Sequence, residues 1–391
     1  MTPALPPLGV GVVGFGWMGQ VHSRAYVRLP HHYPDLPLQP RLVAVADTDA
    51  GRRAQATAMY GYAEAVDDWR ALVAHPHVDV VSVAGPNFVH RDVAVAAAEA
   101  GKHVWVEKPV GRHLADTRAV VEAVRAAGVR SAVGFNYRNV PAVDLARRLV
   151  SDGRLGTVET VTVRLFSDYA AHPDGALSWR FDPEFAGTGV IGDLASHGLD
   201  LARHIVGESA GDISELVADS ATFIPERPEP QPGAGSHYAT ATGGRTGPVG
   251  NEDHVSALLR FAGGARGVLE SSRVAVGEQC TYGIEVHGDR GALAWDFRRM
   301  GELRVADDGA YIDAAWRTVF AGPGAGDFAV FQPGAGLAMG YDDLKVVEAE
   351  RLVRSIAEDR PIGATVEDAL AAATAADALV RSAAERRWVE V

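Results

Sequence analysis

Gly14-Phe15-Gly16-Trp17-Met18-Gly19 stands between a short apolar run, Val10-Gly11-Val12-Val13, and a segment with helical spacing. It therefore reads as the turn that carries a strand into a helix. Three glycines at this spacing have a steric reason. A tight turn, a close approach of a pyrophosphate to the main chain, and close packing of helix on strand each leave no room for a side chain. The free N–H groups and the dipole at the helix start then favour the negative charge of the phosphates. The expected ligand is a dinucleotide held at Gly14, Gly16, Trp17, Met18 and Gly19.

Outward from that turn, valine-rich runs at 10–13, 42–46, 78–84, 103–106 and 130–135 alternate with helical stretches such as 49–59 and 90–100, the latter closed by Gly101. This alternation predicts βαβ units around a parallel sheet, a Rossmann dinucleotide-binding domain over residues 1–136. Asp47 closes the second run, where a carboxylate accepts hydrogen bonds from both ribose hydroxyls and repels a 2′-phosphate, so NAD is favoured over NADP. Beyond Arg138 the rhythm changes. A helix is predicted over 141–152, a strand over 157–166, and a helix from about 193 to 206. Strands at 255–261, 267–274, 282–287 and 292–297 follow, separated by Gly-Gly and Asp-Arg-Gly turns, as in an antiparallel sheet. The stretch 225–250, rich in Pro and Gly, reads as a long loop or flap. Amphipathic helices at 341–357 and 365–386 end a second α/β domain over residues 137–391.

The bulk properties agree with two globular domains. The chain has 391 residues, 47% of them hydrophobic, too many for one ordinary core. A net charge of -13, without a visible basic patch, argues against nucleic acid or an anionic membrane as partner. No apolar run reaches the length a bilayer requires. A single cysteine, Cys280, and a start without the features of a secretory signal point to reducing cytosol. His31-His32 and His75-Pro76-His77 lack the spaced partners of a zinc site and read as exposed turns, so no metal is expected.

Two further motifs carry a resemblance. The run Gly85-Pro86-Asn87-Phe88-Val89-His90, followed by Glu107-Lys108-Pro109, and, in the second domain, Gly187-Thr188-Gly189 leading to Asp193 and His197, resemble the glucose-fructose oxidoreductase/inositol dehydrogenase (Gfo/Idh/MocA) family. Within it, Asn136-Tyr137-Arg138, Leu177-Ser178-Trp179-Arg180-Phe181 and the 225–250 loop look most like members that oxidise the C3 hydroxyl of a pyranose. Inositol dehydrogenases are the next most similar group. The resemblance implies a large open, mainly antiparallel sheet in the second domain and homodimers or homotetramers assembled through it. It also implies a sugar or polyol substrate. Gly85 stands where relatives often carry Thr or Ser, a departure that touches one local hydrogen bond.

Oxidising an alcohol needs a base for the hydroxyl proton and a donor or cation to hold the oxygen as it becomes a carbonyl. Lys108, Asp193 and His197 supply these chemical types, and four-residue spacing on a helix puts the last two on one face. By family analogy His197 accepts the proton, Asp193 sets its basicity and Lys108 holds the oxygen; the residue types alone leave the roles of Lys108 and His197 exchangeable. The resemblance also implies a cis peptide before Pro109, cofactor contacts from Pro86, Asn87, His90, Glu107, Lys108 and Arg180, and substrate contacts from Asn136, Tyr137, Asp168 and Trp179. Two other functions fit the same residues less well: an NAD-using glycoside hydrolase that oxidises its substrate transiently, and a non-catalytic NAD-binding regulator.

Overall fold

A computed structural model describes residues 5–230, 240, 244–307 and 311–391. The chain divides into two compact units, Met1–Asn139 with Met339–Leu370, and Val140–Ala338 with Ala371–Val391. The first is built from β1 (Pro7–Val13), α1 (Trp17–His32), β2 (Gln39–Ala46), α2 (Ala50–Gln55), β3 (Glu64–Val66), α3 (Trp69–Val73), β4 (Val80–Val83), α4 (Asn87–Glu99), β5 (His103–Val106), α5 (Leu114–Ala127) and β6 (Ser131–Val133). Its six strands lie in the order β3-β2-β1-β4-β5-β6, all parallel. Val10, Val12, Val80, Val81, Val83, Val104 and Val106 are shut off from solvent. Strands buried on both faces read as continuous apolar runs, not as alternation, and that is why these runs were visible in the sequence.

In the second unit the chain forms α6 (Pro141–Ser151), β7 (Val158–Phe166), α7 (Pro183–Ala186), a π-helical turn at Ile191–Ala195 that runs into α8 (Ser196–Ala210), and β8 (Ile213–Ala221). β9 (Glu226–Pro228), β10 (Thr246–Pro248), β11 (His254–Phe261), β12 (Arg266–Ser272), β13 (Thr281–Gly288), β14 (Ala292–Asp296), β15 (Glu302–Ala306), β16 (Arg317–Phe320) and α9 (Phe328–Phe331) follow. The chain then returns to the first unit as α10 (Tyr341–Ala357); α11 (Val366–Glu385) begins there and continues into the second unit, which β17 (Val389–Glu390) closes. Nine strands make one sheet in the order β16-β15-β14-β13-β7-β12-β11-β8-β17. Among the described residues only the β7/β12 pair of this sheet is parallel.

Helices α6 and α8 cover one face of this sheet. Gly198 lets α8 come close, since a Cβ there would meet the Val163 and Leu165 side chains at 2.7 and 2.5 Å. The opposite face is open, with Leu258 and Val268 paired across β11 and β12 and 52% and 41% exposed. Strands with one covered and one open face alternate in burial, as β11 does.

Two expectations need correction. The 225–250 stretch is not loop throughout, because β9 and β10 pair antiparallel with Thr246 opposite Pro228. Its Pro and Gly residues hid the ribbon by removing periodicity; residues 231–239 and 241–243 lie outside the described residues. The helix carrying Asp193 is not regular from its start. Asp193 sits in the π turn and His197 in the first turn of α8, while the Val190 and Ile191 N–H groups donate to the Glu252 carbonyl and carboxylate at 3.0 and 2.9 Å. π turns of this kind recur at functional sites. Among the described residues no helix is long and apolar enough to cross a membrane.

Candidate active site

The first unit offers a cradle for a dinucleotide. Gly14 adopts φ +87°, and a Cβ on it would lie 2.6 Å from the Gly85 main chain. At Gly19 a Cβ would lie 1.9 Å from the Gly14 carbonyl, whereas beside Gly16 there is open space. Gly14 is thus a glycine because the β1 and β4 turns touch main chain to main chain, whereas a Cβ on Gly85 would lie 2.8 Å from the Val89 side chain. Helix α1 has Gly16 as its N-cap, with no side-chain cap and no acidic residue in its first turn, which leaves its leading N–H groups suited to an anion. Trp17 is 63% exposed, with its ring 5.3 Å from that of Tyr341 on α10, whose hydroxyl lies 3.7 Å from Met18 Sδ. These residues fit the NAD that the glycine turn implies.

Asp47 lies at the end of β2, where its Oδ2 accepts the Phe15 N–H at 2.7 Å and its Oδ1 the Asp49 N–H at 2.8 Å. The carboxylate therefore ties the glycine turn to the second strand as well as presenting charge there. Pro86 caps α4 and Asn87 opens it. His90 is buried, its Nδ1 2.8 Å from the Pro109 carbonyl and its Nε2 2.8 Å from the Gly85 carbonyl. It clamps the loop after β4 to the loop after β5. The Lys108–Pro109 peptide is cis.

Glu107 turns its carboxylate into the first unit. Oε1 takes Lys345 Nζ at 2.5 Å and His22 Nε2 at 3.0 Å, and Oε2 accepts the Lys108 N–H at 3.3 Å. Lys345 also reaches Glu348 Oε1 at 3.1 Å, which in turn accepts Trp105 Nε1 at 2.5 Å. Burial alone would raise the Glu107 pKa, but the Lys345 ammonium and the His22 hydrogen bond outweigh it and hold the carboxyl well below its ordinary range. Burial lowers His22 to about 4 against that same bond. Its Nδ1 has no partner, as expected of a neutral ring donating through Nε2. For Glu348 burial wins over Lys345, and the pKa rises to about 7.

These shifts set opposite slopes of stability with pH. Between 4.5 and about 7 folded Glu348 holds a proton that the unfolded chain has released, so stability falls as pH rises through that window. Between about 4 and 6.5 the unfolded chain binds a proton that folded His22 refuses, so stability rises there. Glu348→Gln removes the first slope alone. Its melting temperature relative to the parent should climb from about pH 5 to about pH 8, and a difference independent of pH would refute the assignment.

In the second unit, Tyr169 Oη donates to Asp193 Oδ2 at 2.6 Å. Burial, and then the Asp193 charge, push the Tyr169 pKa well above its ordinary value, so the phenol stays a donor. His197 is buried at the start of α8. Two buried guanidinium groups lie against Phe181, with Arg227 and Arg273 centred 4.2 and 4.7 Å from its ring. Arg273 pairs with Asp253 at 2.8 Å and donates to Asn251 Oδ1 at 2.8 Å, and Asn251 Nδ2 donates to the Arg180 carbonyl at 2.8 Å. This scaffold holds the Trp179-Arg180 pair, whose guanidinium stacks 4.4 Å from the indole. Asp168 accepts the Gly277 N–H at 3.3 Å.

Among the other residues singled out in the sequence, Tyr137 is buried. Asn136 is fully buried, and both its amide atoms lack a hydrogen-bond partner. A buried amide left unpaired costs about 1–3 kcal/mol, which makes Asn136 a candidate contact for a ligand. The sequence reading passed over Tyr169, choosing its neighbour Asp168, and missed the Arg273–Asp253 pair and the α10 residues. One sign was available for α10: Lys345 and Glu348, three apart, fall on the buried side of an amphipathic helix.

Parallel sheet, uncapped glycine turn and the Glu107-Lys108-Pro109 corner together define a pyridine-nucleotide oxidoreductase. The chain belongs to the Gfo/Idh/MocA family: residues 8–135 match the oxidoreductase family's NAD-binding Rossmann fold and residues 143–294 the GFO/IDH/MocA C-terminal domain. It is 36% identical over 387 residues, 98% of each chain, to a levoglucosan dehydrogenase of Pseudarthrobacter phenanthrenivorans. It is 28% identical to an inositol 2-dehydrogenase of Rhizobium meliloti, covering 90% of this chain and 98% of that one. A levoglucosan dehydrogenase solved in complex with NADH and levoglucosan superposes with a TM-score of 0.91 at 35% identity, over 98% of this chain and 99% of that one.

Proposed function

We propose that the protein is an NAD-dependent dehydrogenase that oxidises a secondary hydroxyl of a cyclic sugar or polyol to a ketone, a pyranose C3 hydroxyl being the favoured position. The observation that carries this reading is similarity over essentially the whole chain to a levoglucosan dehydrogenase, with Lys108, Asp193 and His197 all present. Bound NAD supplies the ring that accepts two electrons and the carbinol hydrogen. Gly14, Gly16 and Gly19 give its pyrophosphate room, the α1 N-terminus meets the charge, and Asp47 takes the adenosine ribose.

Lys108 donates to the substrate oxygen and holds it as the carbonyl forms. His197 accepts the hydroxyl proton at a ring nitrogen. Asp193, kept in place by the Tyr169 hydroxyl, stabilises the imidazolium that results. The unpaired amide of Asn136 and the Trp179-Arg180 stack supply contacts for the ligands.

The open sheet face with Leu258 and Val268 supports a homo-oligomer assembled through it, and a monomer mass in light scattering would remove that part. The activity itself is tested by offering NAD with levoglucosan, myo-inositol and the acyclic polyol sorbitol. NADH should form with a cyclic substrate; turnover of sorbitol alone would refute the ring preference. Aglycone release from a glycoside without accumulating NADH would select the hydrolase instead.

A further inference from the structure

Behind Lys108 lies more buried charge than hydride transfer itself requires. Lys345, on α10 and 237 positions further along the chain, is shut off from solvent and ends against Glu107 and Glu348. A buried ion pair is a weak source of net stability, since apolar residues of the same volume often do as well. Its strength is directional. The Glu107 carboxylate receives Lys345 and His22 on one oxygen and the Lys108 N–H on the other, and it packs so closely that a Cβ on Gly134 would lie 2.4 Å from it.

Two residues later the Pro109 carbonyl meets His90 at 2.8 Å. The main chain on both sides of the Lys108 side chain is therefore gripped from within the unit. Of the groups on Glu107, Lys345 is the one that carries full charge, because His22 is held neutral by burial.

We infer that Lys345 is a positioning residue for the reaction: by keeping Glu107 ionised and oriented, it fixes the main chain from which Lys108 reaches the substrate. The inference rests on the reading of Lys108 given above. Without the Lys345 ammonium, burial would drive a proton onto Glu107, and a neutral acid accepts the Lys108 N–H more weakly than a carboxylate does. The loss would then appear in the rate, because the Lys345 side chain ends on Glu107 and Glu348 and not on the glycine turn.

The test compares Lys345→Met, the charge-balanced double variant Glu107→Gln with Lys345→Met, and Lys108→Ala. Each is assayed with NAD and whichever of levoglucosan or myo-inositol the parent oxidises, and each is melted. Lys345→Met should lower kcat about ten-fold and leave the KM for NAD within about three-fold. The double variant, with no buried charge left unpaired, should recover the melting temperature but not kcat. A merely structural Lys345 would give recovery of both together, and parental kcat in either Lys345 variant overturns the inference. Parental activity in Lys108→Ala would instead overturn the reading beneath it, so the two failures are distinguishable.

Discussion

Lys108→Ala is expected to lower kcat about a thousand-fold while the Kd for NAD stays within about three-fold. The alanine removes the donor that meets the substrate oxygen as charge develops on it, an interaction worth most in the transition state. It leaves untouched the glycine turn, the α1 N-terminus and Asp47, which carry the proposed cofactor affinity. The main chain should also keep its place, because Glu107 and His90 hold it through main-chain atoms that alanine retains. Steady-state kinetics together with fluorescence titration of NAD separate the two quantities. Equal losses in rate and NAD binding would assign Lys108 to the cofactor rather than to the reaction.

Arg273→Met should destabilise the second unit by roughly 3–5 kcal/mol, the usual cost of breaking a buried ion pair from one side. Arg273 and Asp253 are 1% and 0% exposed. Asp253 also accepts the Phe223 and Ile224 N–H groups at 2.9 and 3.0 Å. Once its cation is gone, the carboxylate must either remain charged in a dry site or take up a proton and weaken those bonds. The same substitution frees one side of Phe181 and loosens the main chain at Arg180, so the KM for substrate should rise in whatever protein stays folded. Denaturant unfolding followed by tryptophan fluorescence measures the loss. A change below about 1 kcal/mol, the range of exposed pairs, would show that the pair is solvated.

The parallel half of the molecule was legible because buried strands and covering helices leave separate signatures: valine runs at 10–13, 78–84 and 103–106, and spaced apolar residues between them. β3 was not legible, since an edge strand of three residues, Glu64–Val66, presents no run. In the second unit the paired strands joined by Gly-Gly and Asp-Arg-Gly turns were readable. β15, no shorter than β14, was passed over; β8 pairs with strands far along the chain, and β16 and β17 are too short for alternation to show. Motif residues such as Lys108, Asp193 and His197 stand out by spacing. Tyr169 and the Arg273–Asp253 pair belong to no local pattern, and for Lys345 and Glu348 the three-residue spacing pairs them with each other while only tertiary structure brings Glu107 and Trp105 to them. Glu107 shows the same limit, for its motif marks it as part of the site while the fold turns its carboxylate inward.

In the proposed reaction a hydrogen passes directly from a secondary carbinol carbon of a cyclic polyol to NAD. Levoglucosan or myo-inositol carrying deuterium on its carbinol carbons, turned over with NAD in ordinary water, tests it, with the label in NADH read by mass spectrometry. Each NADH formed should carry one deuterium, and the product should be a ketone. Unlabelled NADH, or no NADH from any cyclic polyol, would contradict it.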